Sequence, residues 1–107
     1  DDTLHAGGVI KISDGKITAL SGDDGIHSDT ELTITGGTID IQKSYEGLEG
    51  VNINIEGGDI SAVASDDGIN VNDSNGLLNI TGGTTYVNAR GDGLDSNGSI
   101  TMTGVLF

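Results

Sequence analysis

The chain has no cysteine and no proline, three aromatic residues (Tyr45, Tyr86 and Phe107) and four basic ones, Lys11, Lys16, Lys43 and Arg90. Without cysteine there is no disulfide staple, although this does not fix the redox compartment. The four bases stand against 17 acids, a formal net charge of -13. That excludes nucleic acid as a partner, since phosphate binding needs basic surface, and disfavours anionic membrane. Cations are the natural partners of such a surface. No run of 18 apolar residues occurs, so neither a membrane-spanning helix nor membrane insertion is expected. The chain starts at Asp1 without Met or a signal-peptide pattern, and reads as a mature or excised segment.

What is present is repetition. Asp23-Asp24-Gly25-Ile26-His27, Glu46-Gly47-Leu48-Glu49, Ser65-Asp66-Asp67-Gly68-Ile69-Asn70 and Gly91-Asp92-Gly93-Leu94-Asp95 are copies of one unit, with a weaker copy at Asp1-Asp2-Thr3-Leu4-His5. Aligned on the second acid, they fall at Asp2, Asp24, Glu46, Asp67 and Asp92, spaced 22, 22, 21 and 25 residues apart. A regular period of this length signals a solenoid. A second repeat lies inside each copy: Ile10-Lys11-Ile12, Leu32-Thr33-Ile34, Ile53-Asn54-Ile55, Leu78-Asn79-Ile80 and Ile100-Thr101-Met102. Alternating apolar and polar residues have the period of a strand with one buried face. The glycines that follow supply a bend. A further alternating run comes next, marked by Ile17 and Ala19, Ile39 and Ile41, Ile60 and Ala62, and Thr85 and Val87, with Phe107 aligned to Ile39.

Each copy therefore holds about three short strands and no helical pattern. One copy cannot bury a core, but stacked copies merge their inward side chains into ladders. The expected fold is all-β: a right-handed parallel β-helix (β-solenoid) without capping segments, of about five turns at roughly 1–22, 23–44, 45–65, 66–90 and 91–107. It forms a single domain over 1–107. The long spacing places an insertion at Asn72-Asp73-Ser74-Asn75-Gly76, turn-forming residues expected in a surface loop. A chain that starts in an acidic motif and stops in a strand reads as a fragment or as a protomer that stacks end to end.

Stacking puts equivalent acids in columns. Asp2, Asp24, Glu46, Asp67 and Asp92 form one; Asp1, Asp23 and Asp66 form its neighbour, broken by Tyr45 and Gly91. His5, His27, Glu49, Asn70 and Asp95 form a third. Carboxylates ~5 Å apart repel by about 3 kcal/mol per pair at an effective dielectric near 20. Four scattered bases cannot neutralise them. Calcium can, because it accepts six to eight oxygens in flexible geometry. The expected ligands are Asp23, Asp24, Glu46, Glu49, Asp66, Asp67, Asp92 and Asp95, with Ca2+ as cofactor. Neither the EF-hand loop nor the glycine-rich nonapeptide calcium repeat is matched.

The units Asp-Asp-Gly-Ile-(Asn/His), Tyr45-Glu46-Gly47-Leu48-Glu49-Gly50 and Thr-Gly-Gly-Thr together resemble a bacterial family of extracellular carbohydrate-binding domain-containing proteins. The resemblance runs from Asp1 to about Gly104. It implies a polysaccharide-lyase-like right-handed β-helix, secreted or at the cell surface, with calcium between turns and affinity for cellulose or acidic plant polysaccharide. By position, the calcium ligands it carries over are Asp23, Asp24, Asp66, Asp67, Asp92 and Asp95. Asp1-Asp2-Thr3 departs from the pattern by lacking the glycine.

Two roles follow. One is a calcium-binding module for polysaccharide, extracellular or at the cell surface, with Tyr45 and Tyr86 as the available faces for sugar rings. The other is a structural protein whose copies stack head-to-tail into calcium-stabilised fibres. An enzyme is not expected. A lyase needs a base beside its cation, and no nucleophile, base and orienting group are placed together. Arg90-Gly91-Asp92 and the glycosylation patterns at Asn79 and Asn97 are accounted for by the repeat or by chance.

Overall fold

Alternation alone commits these short runs to strands, because it gives each one an apolar side that must leave water. In the computed structural model, residues 1–103 are described and every regular element among them is a strand. The first turn holds β1 (Leu4–Ala6), β2 (Ile10–Ile12) and β3 (Lys16–Leu20). The second holds β4 (Ile26–Ser28), β5 (Glu31–Ile34) and β6 (Thr38–Lys43), and the third β7 (Leu48–Gly50), β8 (Asn52–Ile55) and β9 (Asp59–Ala64). The fourth holds β10 (Ile69–Val71), β11 (Leu77–Ile80) and β12 (Thr84–Ala89), and a fifth begins with β13 (Leu94–Ser96) and β14 (Ser99–Met102). The expected third run of that turn, at Phe107, lies outside the described residues.

Every pairing joins a strand to its equivalent one turn away, and all are parallel. Three sheets result, ordered β1-β4-β7-β10-β13, β2-β5-β8-β11-β14 and β3-β6-β9-β12. This is a parallel β-solenoid with three strands per turn. The register fixes which side chains stack: Leu4, Ile26, Leu48, Ile69 and Leu94 share one ladder in the first sheet. Ile10, Leu32, Ile53, Leu78 and Ile100 share one in the second. Ile17, Ile39, Ile60 and Thr85 share one in the third.

The middle of each ladder is dry. Ile26, Leu32, Ile34, Ile41, Leu48, Ile53, Ile55, Ile69 and Leu78 have no solvent exposure, whereas Leu4 and Ile100 in the outer turns are 36% and 44% exposed. Burial falls off toward both outer turns, as expected where each turn is covered only by its neighbours. Thr85 takes an isoleucine's place in the third ladder, and its Oγ1 is buried with no hydrogen-bond partner among the described residues.

Glycine does two different jobs. The second glycine of each Gly-Gly pair has positive φ (Gly37 at 90°, Gly58 at 92°), so the bend between the second and third sheets needs it. The glycine of the acidic motif has no such conformation. A Cβ at Gly47 would lie 2.6 Å from the Gly68 carbonyl oxygen and 3.0 Å from Ala62 Cβ. It is there because adjacent turns approach too closely for a side chain. The insertion joins β10 to β11 as expected, with Asn72, Ser74 and Asn75 exposed; Gly76 is buried against the Val51 carbonyl.

Candidate functional site

The acidic motifs form the corner that leads from the third sheet into the first. Asp24 N–H donates to Asp2 Oδ1 (3.0 Å), Glu46 N–H to Asp24 Oδ1 (3.2 Å) and Asp92 N–H to Asp67 Oδ1 (2.9 Å). These three carboxylates cap the backbone of the turn above them, and Gly47 N–H donating to the Asp67 carbonyl (3.3 Å) carries the remaining step, which aligns the column Asp2, Asp24, Glu46, Asp67 and Asp92 as the repeat spacing predicted. Backbone bonds from Tyr45 to Asp23, Asp66 to Tyr45 and Gly91 to Asp66 set the neighbouring column. Strand register sets the third: His5, His27, Glu49, Asn70 and Asp95.

These carboxylates are not merely solvated turn residues. Asp24, Glu46 and Asp67 are 4%, 7% and 9% exposed. Burial pushes the Asp24 carboxyl up to about 8, helped by the hydrogen bond and charge of Glu49. Burial likewise pushes Glu46 up to about 9, again with Glu49 adding to it. Glu49 is held low by hydrogen bonds from Glu46, Asp24 and Asn70, which outweigh its own desolvation. The three act as one proton-sharing set, with the negative charge resting on Glu49. Further along the corner, hydrogen bonding to Asp67 raises Asp95.

The corner gathers ligand atoms within 4.8 Å of one another in five sets. Asp2, Asp23 and Asp24 form one, Glu46, Asp66 and Asp67 another, and Asp67, Asp92 and Asp95 a third. Asp24, His27 and Glu49 form a fourth, and Asp2, His5 and His27 a fifth. All eight acids expected as ligands belong to these sets. Carboxylate oxygens at such spacing suit a hard cation such as calcium, whose charge would remove both the repulsion and the raised protonation.

The histidine end of the corner stands in the expected third column, although neither histidine was among the expected ligands. His5 and His27 stack with ring centroids 4.7 Å apart at 19°. His27 Nδ1 lies 3.2 Å from Asp2 Oδ2, and its Nε2 lies 3.3 Å from Glu49 Oε1. Asp29 reaches back to His5, with Oδ1 2.9 Å from Nε2; this contact raises His5 and lowers Asp29. The repeat showed that the histidines stack. Asp29 lies just past the end of β4, near that column by its place in the repeat, but the spacing does not give the side-chain direction that brings it to both rings.

The two tyrosines do not share a site. Tyr45 lies at the acidic corner, 49% exposed, where the charge of Asp66 raises its phenol. Tyr86 is 61% exposed on the outer face of β12, in a row with Ser61 and Asp40.

Parallel turns stacked around a continuous aliphatic core, with buried acids aligned along one corner, place the chain among the β-solenoid repeat proteins. Residues 23–107 match the family described as carbohydrate-binding domain-containing protein. The match covers well over half of the chain, which belongs to that family. Comparison with curated proteins and with solved structures gave no match.

Proposed function

We propose that the chain is a non-catalytic polysaccharide-binding module whose acidic corner holds calcium, working outside the cell or at its surface. Family membership supports the carbohydrate partner and favours binding over catalysis. The observation that carries the calcium reading is the run of buried, adjoining carboxylates at Asp24, Glu46 and Asp67. Such a run is stable where Asp24 and Glu46 keep their protons, or with a cation in their place. Extracellular calcium modules bind with Kd values of roughly 0.1–1 mM, which requires the calcium levels found outside cells. The expected ligands remain Asp23, Asp24, Glu46, Glu49, Asp66, Asp67, Asp92 and Asp95, and the geometry supports adding Asp2.

Affinity electrophoresis through gels containing carboxymethylcellulose or pectate tests the reading, run with millimolar calcium and with excess chelator. Retardation in calcium that weakens in chelator is the expected result. Unretarded migration in both gels with calcium present would refute polysaccharide binding.

A further inference from the structure

The histidine end of the corner differs in chemistry from the rest of it. His5 and His27 are the only histidines in the chain, and strand register stacks one on the other between the first and second turns. Both rings turn Nδ1 toward a single oxygen. Asp2 Oδ2 lies 3.2 Å from His27 Nδ1 and 3.9 Å from His5 Nδ1. The other oxygen of that carboxylate is already engaged, since Asp2 Oδ1 accepts the Asp24 N–H at 3.0 Å. Asp2, His5 and His27 thus offer three ligand atoms within 4.8 Å of one another. Asp24 Oδ2 stands 3.6 Å from His27 Nδ1.

The far side of each ring also has a partner. His5 Nε2 lies 2.9 Å from Asp29 Oδ1, and His27 Nε2 lies 3.4 Å from the same oxygen and 3.3 Å from Glu49 Oε1. A carboxylate that accepts the Nε2–H holds an imidazole in the tautomer whose Nδ1 lone pair is free, which is how metal-binding histidines are oriented. Imidazole nitrogen suits zinc and its transition-metal neighbours, whereas calcium takes oxygen. Tetrahedral zinc, with bonds of about 2.0–2.1 Å, sets its ligands about 3.3 Å apart. The separation of Asp2 from His27 already matches. His5, with 47% of its side chain exposed, is free to turn and close the longer gap.

From this arrangement we infer that Asp2 Oδ2, His5 Nδ1 and His27 Nδ1 form a zinc site, distinct from the calcium-binding acids, with Asp29 as a positioning residue and a fourth position left to water. The metal ties the first turn to the second where the core thins out: Leu4 is 36% exposed, and Ile26 beside it in the ladder is fully buried. Asp2 has an oxygen for each metal, so zinc and calcium can be held together. The site needs neither carbohydrate binding nor calcium to exist.

Calorimetric titration of the untagged, metal-stripped chain with Zn2+ tests the site, run in about 10 mM calcium so that the oxygen-only sites are filled first. One Zn2+ per chain should bind despite the calcium, and Co2+ in its place should give the intense visible absorption of four-coordinate geometry. Asp29→Ala should weaken Zn2+ about tenfold or more, and Asp29→Asn should keep part of the affinity because its amide oxygen still accepts the ring N–H. His5→Ala and His27→Ala should weaken it further and abolish the Co2+ absorption. The His5 and Asp29 side chains are 47% and 52% exposed, so their variants should melt like the wild type in calcium and decide the matter even if His27→Ala fails to fold. No Zn2+ binding in calcium would overturn the inference. Zn2+ affinity unchanged in His5→Ala and Asp29→Ala would overturn it too, since carboxylates alone would then hold the ion.

Discussion

Gly47→Ala should destabilise the protein far more than Gly93→Ala, although the two glycines hold the same place in the repeat. Neither has positive φ, so conformation does not separate them. Surroundings do. An alanine Cβ at position 47 would sit 2.6 Å from the Gly68 carbonyl oxygen and 3.0 Å from Ala62 Cβ. Both obstacles are fixed, one by the backbone and one by the core, so the turns themselves must separate. Overpacking of this kind costs about 2–3 kcal/mol. At about 4–8 °C per kcal/mol for a domain near 100 residues, Tm should fall by roughly 10–20 °C. At Gly93 nothing among the described residues lies within 4 Å of the added methyl. There the loss of unfolded-state entropy should leave stability unchanged or raise it by about 0.5 kcal/mol. Thermal and urea melts of the two variants decide the matter. Equal losses at both positions would show that the motif glycine serves the turn's own conformation or a ligand, and the close-stacking argument would be wrong.

Further outcomes follow from the same structure. Ile53→Ala, in the driest part of the second sheet's ladder, should cost about 3–4 kcal/mol in urea unfolding, and Ile10→Ala in the outer first turn noticeably less. Thr85→Val should raise stability by about 1 kcal/mol, because it replaces a buried, unpartnered hydroxyl with a methyl of similar shape. In chelator, stability should decline as pH rises from about 4 through about 8 to 9. Asp24 and Glu46 keep their protons in the folded state over that window and lose them in the unfolded state. Glu49 has the opposite sign: its contribution is lost only as pH falls below the ordinary carboxylate range. Glu46→Gln should therefore stabilise the calcium-free protein at neutral and alkaline pH while reducing its gain from calcium, both read from melting temperatures. Calcium binding at pH 7 should release up to about two protons from Asp24 and Glu46, measurable by titration in buffers of different ionisation enthalpy.

The fold was legible because solenoid stacking converts sequence period into contact. Once Asp24 is 22 residues after Asp2, their adjacency follows without further information. The same logic placed Ile26 over Leu4 and Glu49 beside His27. Three things did not follow from the period. Asp29 faces the histidine stack from a connecting segment, where spacing says nothing of side-chain direction. The slip between Ala19 and Leu20 is a local bulge that alternation of hydrophobicity cannot reveal. The purpose of the motif glycine is not given by the period; only the distance between turns shows that it clears space for stacking. The separation of Tyr45 and Tyr86, by contrast, follows from the repeat, which puts one in an acidic column and the other in the third run.

The central claim is that a cation replaces protons and relieves repulsion among the stacked buried acids. The most direct measurement is a thermal melt at pH 7.5 in millimolar calcium, set against excess chelator at matched ionic strength. With a Kd of roughly 0.1–1 mM, about 10 mM calcium is 10 to 100 times Kd and should add about 1.4–2.7 kcal/mol, a Tm rise of roughly 6–20 °C. A melting temperature that is the same in calcium and in chelator would contradict the account.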